Sequence, residues 1–130
     1  MKIYPLLLAA TLISGCNASN VPNASRPDTG RISEGLLLAE KSQCTSCHDL
    51  DTKVIGPSWN DVSSRYNEMI RSGRESRKDV EEMLEKKIAM GGKGNWVSAT
   101  GGMSMPPSYP KVSRENIRKL VEYILSLKPN

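Results

Sequence analysis

The sequence predicts an all-α protein. Apolar residues recur at helical spacing in four segments, and glycine or proline marks the breaks between them. No segment shows the alternating apolar and polar residues of a strand pair. Phenylalanine is absent and aromatic residues make up 5% of the chain. A small domain with so few aromatic side chains often needs a cofactor or a metal to complete its core.

Residues 1–15 are predicted to be an export signal outside this domain. Lys2 precedes an apolar stretch, residues 3–13, that is too short to span a bilayer. Small residues then stand directly before Cys16, a pattern that resembles the lipobox of bacterial lipoproteins, in which the cysteine is acylated. An ordinary secretory leader and an uncleaved anchor are the alternatives, but acylation also explains the odd cysteine among three.

Residues 16–30 are predicted to be a flexible tether that begins at the acylated Cys16. The segment is rich in Asn, Ser, Ala and Pro and has no apolar period. The folded domain is then expected over residues 31–130. Its net positive charge is small, so the sequence predicts no nucleic-acid partner. Residues 67–78 are interpreted as a charged, solvated linker, with a docking patch as the alternative for its basic cluster. That cluster consists of Arg71, Arg74, Arg77 and Lys78.

The first two helices are predicted on either side of a proline-containing segment. The first runs over residues 33–42 with Ser33 as its N-cap. Its apolar body is Leu36, Leu37 and Leu38. The second is short, covers residues 58–66 and follows Pro57. Its apolar side chains are Trp59 and Val62.

The third and fourth helices are predicted around a long loop. The third covers residues 79–90 and ends at Gly91. Its apolar face is Val80, Met83, Leu84 and Ile88. The fourth follows a cap at Ser113 and runs to Lys128. Its apolar stripe is Ile117, Leu120, Val121, Ile124 and Leu125. The loop between them, residues 91–111, is rich in glycine and proline, and loops of that length are usually functional.

Five consecutive residues, 44–48, carry the chemistry. They read C-T-S-C-H, and C-x-x-C-H is the attachment signature for c-type haem. Two cysteines at this spacing at a helix end can each form a thioether with one vinyl group of the porphyrin. The histidine then lies below the ring with Nε2 directed at the iron. The sequence therefore predicts one covalent haem c on Cys44 and Cys47, with His48 as an iron ligand.

Two other interpretations of the motif are weaker. A thioredoxin-like dithiol needs a βαβ context, and the sequence shows no strands. A structural zinc site needs four ligands, commonly in two pairs. With Cys16 assigned to acylation, the chain has no second Cys or His pair.

The second axial ligand is predicted to be a methionine. The chain has one histidine, and a soft thioether favours Fe(II). Met1, Met69, Met83 and Met90 fall in the leader, in the charged linker, on the apolar face of a helix and at a helix end. Of the two in the long loop, Met105 is favoured because Pro106 and Pro107 stiffen the backbone behind it. Met103, in a glycine-rich stretch, and five-coordinate iron stay as alternatives.

Further motifs follow the C-x-x-C-H segment in a fixed order. They are Asp51 to Pro57 with Trp59 after it, Gly94-Asn95-Trp96, Met105-Pro106-Pro107, and a terminal helix with Tyr123. In this combination residues 44–128 resemble the small bacterial class I cytochromes c, particularly the short type that shuttles electrons to periplasmic reductases and terminal oxidases. The resemblance implies the class I fold, with three to five helices packed round one haem.

The resemblance also implies roles for residues around the haem. The carbonyl of Pro57 would accept a hydrogen bond from Nδ1 of His48 and fix the imidazole. Trp59 would pack on the haem edge. Trp96 would donate its indole N–H to a propionate. Lys87 stands where the family often has a basic residue near that propionate, with a solvated lysine as the alternative.

The resemblance also implies a packing role for Tyr123, and this chain differs from the family in the length of one segment. Tyr123 would pack where the first and last helices cross, against residues 38–39. Residues 97–104 form a longer stretch than the short family members have. The loop between Trp96 and Met105 is therefore where this chain departs from the short family members.

The predicted function is electron transfer rather than catalysis. With His48 and Met105 both bound, iron has no open position for a substrate, and no convergent acids and bases suggest an active site. The protein is expected to be a monomeric, lipid-anchored carrier on the periplasmic side of a bacterial membrane, exchanging electrons with redox proteins. The alternatives are a haem subunit of one periplasmic oxidoreductase complex, or a gas-binding or peroxidase-like protein if the methionine is labile.

Overall fold

A computed structural model describes residues 29–128, and this part of the chain is helical. Its elements are α1 (Thr29–Lys41), a 3₁₀ turn (Cys44–Ser46), α2 (Trp59–Arg71), α3 (Arg77–Met90), α4 (Val97–Thr100) and α5 (Arg114–Ser126). Within these residues there is no strand, and two isolated antiparallel pairings join His48 to Lys53 and Gly92 to Met105. The prediction of an all-α fold with three to five helices is confirmed.

The predicted leader lies outside the described residues, as do Cys16 and the tether up to residue 28. Thr29 and Gly30, which the sequence assigned to the tether, form the first turn of α1. None of the helices described between residues 29 and 128 is long and apolar enough to cross a membrane.

Three helices begin at a serine whose hydroxyl accepts a hydrogen bond from the amide three residues later. The pairs are Ser58 with Asp61 at 3.1 Å, Ser76 with Asp79 at 3.2 Å and Ser113 with Asn116 at 3.2 Å. The predicted cap at Ser113 is confirmed. The predicted cap at Ser33 is wrong, because α1 begins at Thr29 and Ser33 lies inside it. A helix, once nucleated, extends into adjoining residues at little cost.

The predicted charged linker over residues 67–78 is wrong in extent. α2 continues to Arg71 because Met69 and Ile70 pack against the core, which extends its apolar face by a turn. Residues 72–76 alone join α2 to α3. Three residues of the basic cluster pair with glutamates along the two helices: Arg71 with Glu68 at 2.6 Å, Arg77 with Glu81 at 2.8 Å and Lys78 with Glu82 at 3.8 Å. Arg74 instead donates to the hydroxyl of Ser72 at 3.0 Å. These exposed pairs are typical of a solvated helix face.

Two predictions about the second half of the chain need correction. Val80, Leu84 and Ile88 are buried in α3, but Met83 is 37% exposed. Residues four apart form one row along a helix, and Met83 lies at its edge. The loop also contains α4, a single turn in which the carbonyl of Trp96 accepts hydrogen bonds from the amides of residues 99 and 100. So short a turn carries no apolar period to predict it from.

Helix α5 lies at the centre of the core and contacts α1, α2 and α3. Its buried residues are Ile117, Leu120, Val121, Tyr123, Ile124 and Leu125. The predicted crossing of the first and last helices at Tyr123 is confirmed, and its close approach is to Gly35. A β-carbon on Gly35 would lie 2.3 Å from Cβ of Tyr123. A glycine inside a helix costs stability, so close packing is its reason.

Candidate functional site

A cavity of about 240 Å³ lies between the 3₁₀ turn, the ends of the helices and the long loop. All seven residues predicted from the sequence to contact a cofactor line it. They are Cys44, Cys47, His48, Pro57, Trp59, Trp96 and Met105. Lys87, Tyr123 and Met103 also line it, whereas Met69, Met83 and Met90 do not. The fold therefore brings together residues that are far apart in the sequence.

The two cysteines are presented by a tight turn directly after α1. Gln43, with a φ of 61°, turns the chain out of the helix. The carbonyl of Cys44 then accepts hydrogen bonds from the amides of Cys47 at 3.1 Å and His48 at 3.0 Å. Both cysteine side chains are half-buried. Burial raises the pKa of the Cys44 thiol above its ordinary value, against an opposing backbone hydrogen bond and with a smaller contribution from the charge of Cys47.

The imidazole of His48 is fixed by the segment that follows it. Nδ1 of His48 lies 2.8 Å from the carbonyl oxygen of Pro57. A carbonyl can only accept, so this bond requires the proton on Nδ1 and leaves the Nε2 lone pair free. The predicted hydrogen bond is present.

Gly56 lies directly against the same ring. A β-carbon there would lie 2.4 Å from Cε1 of His48. The amides of Ile55 and Gly56 both donate to the carbonyl of Cys47, at 3.3 and 2.8 Å, and hold this segment beside the ring. Sequence reasoning did not single out Gly56, and the pattern Gly-Pro after the C-x-x-C-H segment is the signal that could have done so.

Trp59 forms the floor of the cavity beside the histidine. It is 5% exposed, and its ring is nearly parallel to that of His48, at 13° with 6.4 Å between centroids. The ring of Tyr123 meets Trp59 edge to face at 5.5 Å. Trp59 therefore contacts both the core and the cavity, so its predicted place at the haem edge is compatible with its packing in the core.

The loop supplies two methionines to the cavity in different environments. Met105 is half-buried and packs against the hydrophobic core, whereas Met103 is 57% exposed. The backbones of Met105 and Gly92 exchange two hydrogen bonds. The amide of Gly92 donates to the carbonyl of Met105 at 2.8 Å, and the amide of Met105 donates to the carbonyl of Gly92 at 3.0 Å. The position of Met105 is thus the more strongly defined of the two.

Trp96 is held at the rim by a residue that the sequence did not suggest. The guanidinium of Arg65 lies 5.1 Å from the centre of the Trp96 ring, and its Nη1 donates to the carbonyl of Asn95 at 2.9 Å. Asn95 also donates to the hydroxyl of Tyr66 at 3.4 Å. An exposed arginine on the polar face of α2 carries no sequence signal for such a contact.

The charged side chains of the described cavity lining are all basic. Lys87 and Lys93 line the cavity, and none of the residues of 29–128 that line it carries a carboxylate. Apart from these lysines the lining is mostly apolar, with several polar side chains and backbone groups of the loop. Such a cavity suits a flat apolar group with an acidic edge.

The family model for cytochrome c matches residues 32–128. The chain belongs to the cytochrome c family. It is 37% identical over 92 residues to cytochrome c-551 of Allochromatium vinosum, an alignment that covers 71% of this chain and 84% of the relative. It is 36% identical over 91 residues to cytochrome c-552 of Hydrogenobacter thermophilus, which covers 70% of this chain and 79% of the relative.

A solved structure agrees with these relatives. The crystal structure of cytochrome c552 from Nitrosomonas europaea superposes with a TM-score of 0.58 at 33% identity, covering 72% of this chain and 99% of that one. The chain is thus a small monohaem class I cytochrome c that carries a covalently attached haem c. It transfers electrons with redox partners and is not an enzyme.

Proposed function

We propose that Cys44 and Cys47 bind the haem through thioethers and that His48 and Met105 are its axial ligands. The observation that carries this proposal is the single cavity that all four residues line. Nε2 of His48 is the nitrogen left for iron, since Nδ1 is bonded to Pro57. Met105 is favoured over Met103 because its backbone is paired with Gly92 and its side chain packs against the core.

The bound haem supplies an iron that alternates between Fe(II) and Fe(III). The side chains around it set the properties of that change. The hydrogen bond to Pro57 holds the imidazole in one orientation, and the thioether of Met105 favours Fe(II). With His48 and Met105 both bound, the iron would have no open position for a substrate. Buried Trp59 and the core residues beside it exclude water from this side of the cavity.

The acidic edge of the haem is proposed to lie at the rim formed by Trp96 and Lys87. The indole N–H of Trp96 is a donor only, and Lys87 adds a positive charge with three donors. Both line the cavity, and no carboxylate of the described lining offsets the positive charge of Lys87. Propionate groups at this rim would therefore be bound by charge-assisted hydrogen bonds.

We further propose that the domain works as a monomeric carrier held at a membrane. Acylated Cys16 would be the anchor after removal of residues 1–15. Residues 16–30 would form the tether, except for Thr29 and Gly30, which belong to the first turn of α1. The domain would then exchange electrons with redox proteins on the periplasmic side of a bacterial membrane. The leader, with its short apolar stretch and the small residues before Cys16, is what supports this location.

The axial ligand is tested by absorption spectra of the oxidised wild type beside Met105→Ala and Met103→Ala. We expect Met105→Ala to lose the sulfur-to-iron charge-transfer band and Met103→Ala to keep it. The reverse result would assign the ligand to Met103. Rapid CO binding by the reduced wild type without prior denaturation would instead favour the gas-binding alternative.

The anchor is tested by fractionating cells that produce the full chain or its Cys16→Ser variant. We expect the wild type in the membrane fraction and the variant outside it, with the haem spectrum unchanged in both. An equal distribution of the two proteins would contradict acylation of Cys16. A stable complex that co-purifies with the wild type would favour the oxidoreductase-subunit alternative over a free carrier.

A further inference from the structure

Gly91, at the end of α3, leaves no room for a side chain on the segment that carries Met105. A β-carbon at Gly91 would lie 2.3 Å from the carbonyl oxygen of Met105, 2.7 Å from the carbonyl carbon of Pro106 and 2.8 Å from the nitrogen of Pro107. All three neighbours are backbone atoms, which cannot rotate away as a flexible side chain could. The backbone of α3 therefore touches the backbone behind Met105 directly.

Hydrogen bonds hold the two backbones at this distance. Gly92 and Met105 exchange a pair of them, at 2.8 and 3.0 Å. Beyond the two prolines, the amides of Ser108 and Tyr109 donate to the carbonyls of Ile88 and Ala89, at 3.1 and 3.2 Å. These carbonyls belong to the last turn of α3, where no amide of the helix itself can satisfy them. The segment 105–109 thus serves as the cap of α3.

We infer that Gly91 is a positioning residue for the axial sulfur: the end of α3, rather than the glycine-rich loop, determines where Met105 lies. The inference rests on the proposed ligation by Met105. Two prolines follow Met105, so its backbone can move only together with the segment docked on α3. A side chain at residue 91 would push that segment off the helix end and carry the sulfur with it.

The test compares Gly91→Ala with Gly73→Ala in the haem-loaded protein. The two glycines have nearly the same φ, +68° and +69°, but a β-carbon at Gly73 meets nothing within 4 Å. Both variants place an alanine at a positive φ, which disfavours it, and Gly91→Ala alone displaces the methionine segment. Because Gly91 also has a ψ of −145°, which alanine avoids strongly, its variant is expected to be the less stable of the two, and the comparison depends on the spectrum, the potential and the CO affinity. We expect Gly91→Ala to weaken the sulfur-to-iron band, to lower the reduction potential and to bind CO about tenfold more tightly than Gly73→Ala, a change of about 1.4 kcal/mol.

A purely structural role predicts a different result. It would lower the melting temperature of Gly91→Ala while the band, the potential and the CO affinity stay equal to those of Gly73→Ala, and this outcome would overturn the inference. The proposed function fails separately, because a Met105→Ala variant that keeps the band contradicts the ligation whatever Gly91→Ala does.

Hydrogen exchange of the wild-type protein covers the case in which Gly91→Ala does not fold. The amides of Gly92, Met105, Ser108 and Tyr109 are predicted to exchange as slowly as buried amides of α5, and to remain protected in Met105→Ala. Fast exchange of these amides while the sulfur-to-iron band is intact would show that α3 does not hold the segment.

Discussion

Two segments meet at the cavity, and they are held in different ways. The histidine side, residues 44–57, is short, and its hydrogen bonds join residues close in sequence, such as His48 to Pro57. The methionine side, residues 91–109, is longer and is fastened to the last turn of α3 by backbone pairs. Both sides nevertheless depend on a glycine without room for a β-carbon, Gly56 against the His48 ring and Gly91 against the Met105 backbone.

This difference shows which contacts fix the position of each proposed iron ligand. Closing a short loop costs little entropy, so the histidine side can form as soon as the 3₁₀ turn and residues 55–57 meet. The methionine side needs α3 to be folded and docked on α5 before its hydrogen bonds exist. Its stability is therefore tied to the core, whereas that of the histidine side is mainly local.

The largest effect is expected from Gly56→Ala, which overpacks the histidine side. The new methyl group would collide with the ring of His48, and overpacking of this kind costs about 1–3 kcal/mol of folding stability. The imidazole would also turn away from the carbonyl of Pro57. We expect lower stability in denaturant unfolding together with a shifted haem spectrum and a changed reduction potential.

Gly35→Ala is the matched control for that variant. Its β-carbon would collide with Tyr123 at a similar distance, 2.3 Å, but at the crossing of α1 and α5 rather than at an iron ligand. It should lose somewhat less stability, because alanine is the better helix former by about 0.5–1 kcal/mol. Its spectrum should match that of the wild type. Equal spectral changes in the two variants would mean that a clash in the core disturbs the haem as much as a clash at His48, and that the histidine side is not held by local contacts.

The same contrast explains what could be predicted from the sequence. Cys44, Cys47 and His48 form a contiguous motif, so the haem attachment site could be predicted from the sequence. The helices around them follow apolar periods, so their positions and most of their residues could be predicted as well. The extent of α2 and the exposure of Met83 depend on which face meets the core, which no local pattern specifies. Arg65 and the contacts of Gly91 join segments far apart in the chain, and only the folded arrangement reveals them.

A smaller effect is expected on the methionine side from Arg65→Leu. The change removes both the contact with the Trp96 ring and the hydrogen bond to the carbonyl of Asn95, each worth about 0.5–1 kcal/mol at an exposed site. The indole N–H of Trp96 should then exchange faster with solvent in NMR spectra. The indole N–H of buried Trp59 serves as the internal reference. Arg71→Leu, on the same helix and paired with Glu68 among the described residues, should change neither signal.

Arg65→Lys sharpens this prediction. Lysine keeps the positive charge but lacks the planar fork that stacks on the ring and donates to Asn95 in one geometry. Its effect on Trp96 exchange should lie between those of the wild type and Arg65→Leu. If Arg65→Leu leaves the exchange of Trp96 unchanged, the rim is held by the loop alone and the contrast between the two sides is weaker than proposed.

The smallest effect is expected at alkaline pH, at Tyr123 behind the histidine side. Burial raises the pKa of Tyr123 above its ordinary value, and the negative charge of Glu40 raises it further. A raised pKa in the fold means that folding favours the neutral phenol, so this contribution to stability is complete below about pH 10, the ordinary pKa, and is lost as the pH rises through the folded pKa. The wild type should therefore lose stability above about pH 10 more steeply than Tyr123→Phe, as measured by denaturant unfolding. Every other side chain is the same in both proteins, so its contribution cancels in the comparison. Glu40→Gln should reduce the slope in part, because it removes the second cause and leaves the first. Parallel pH curves for the wild type and Tyr123→Phe would show that the phenol is equally easy to ionise in the folded and unfolded chain, and that the contact beneath Trp59 is open to water.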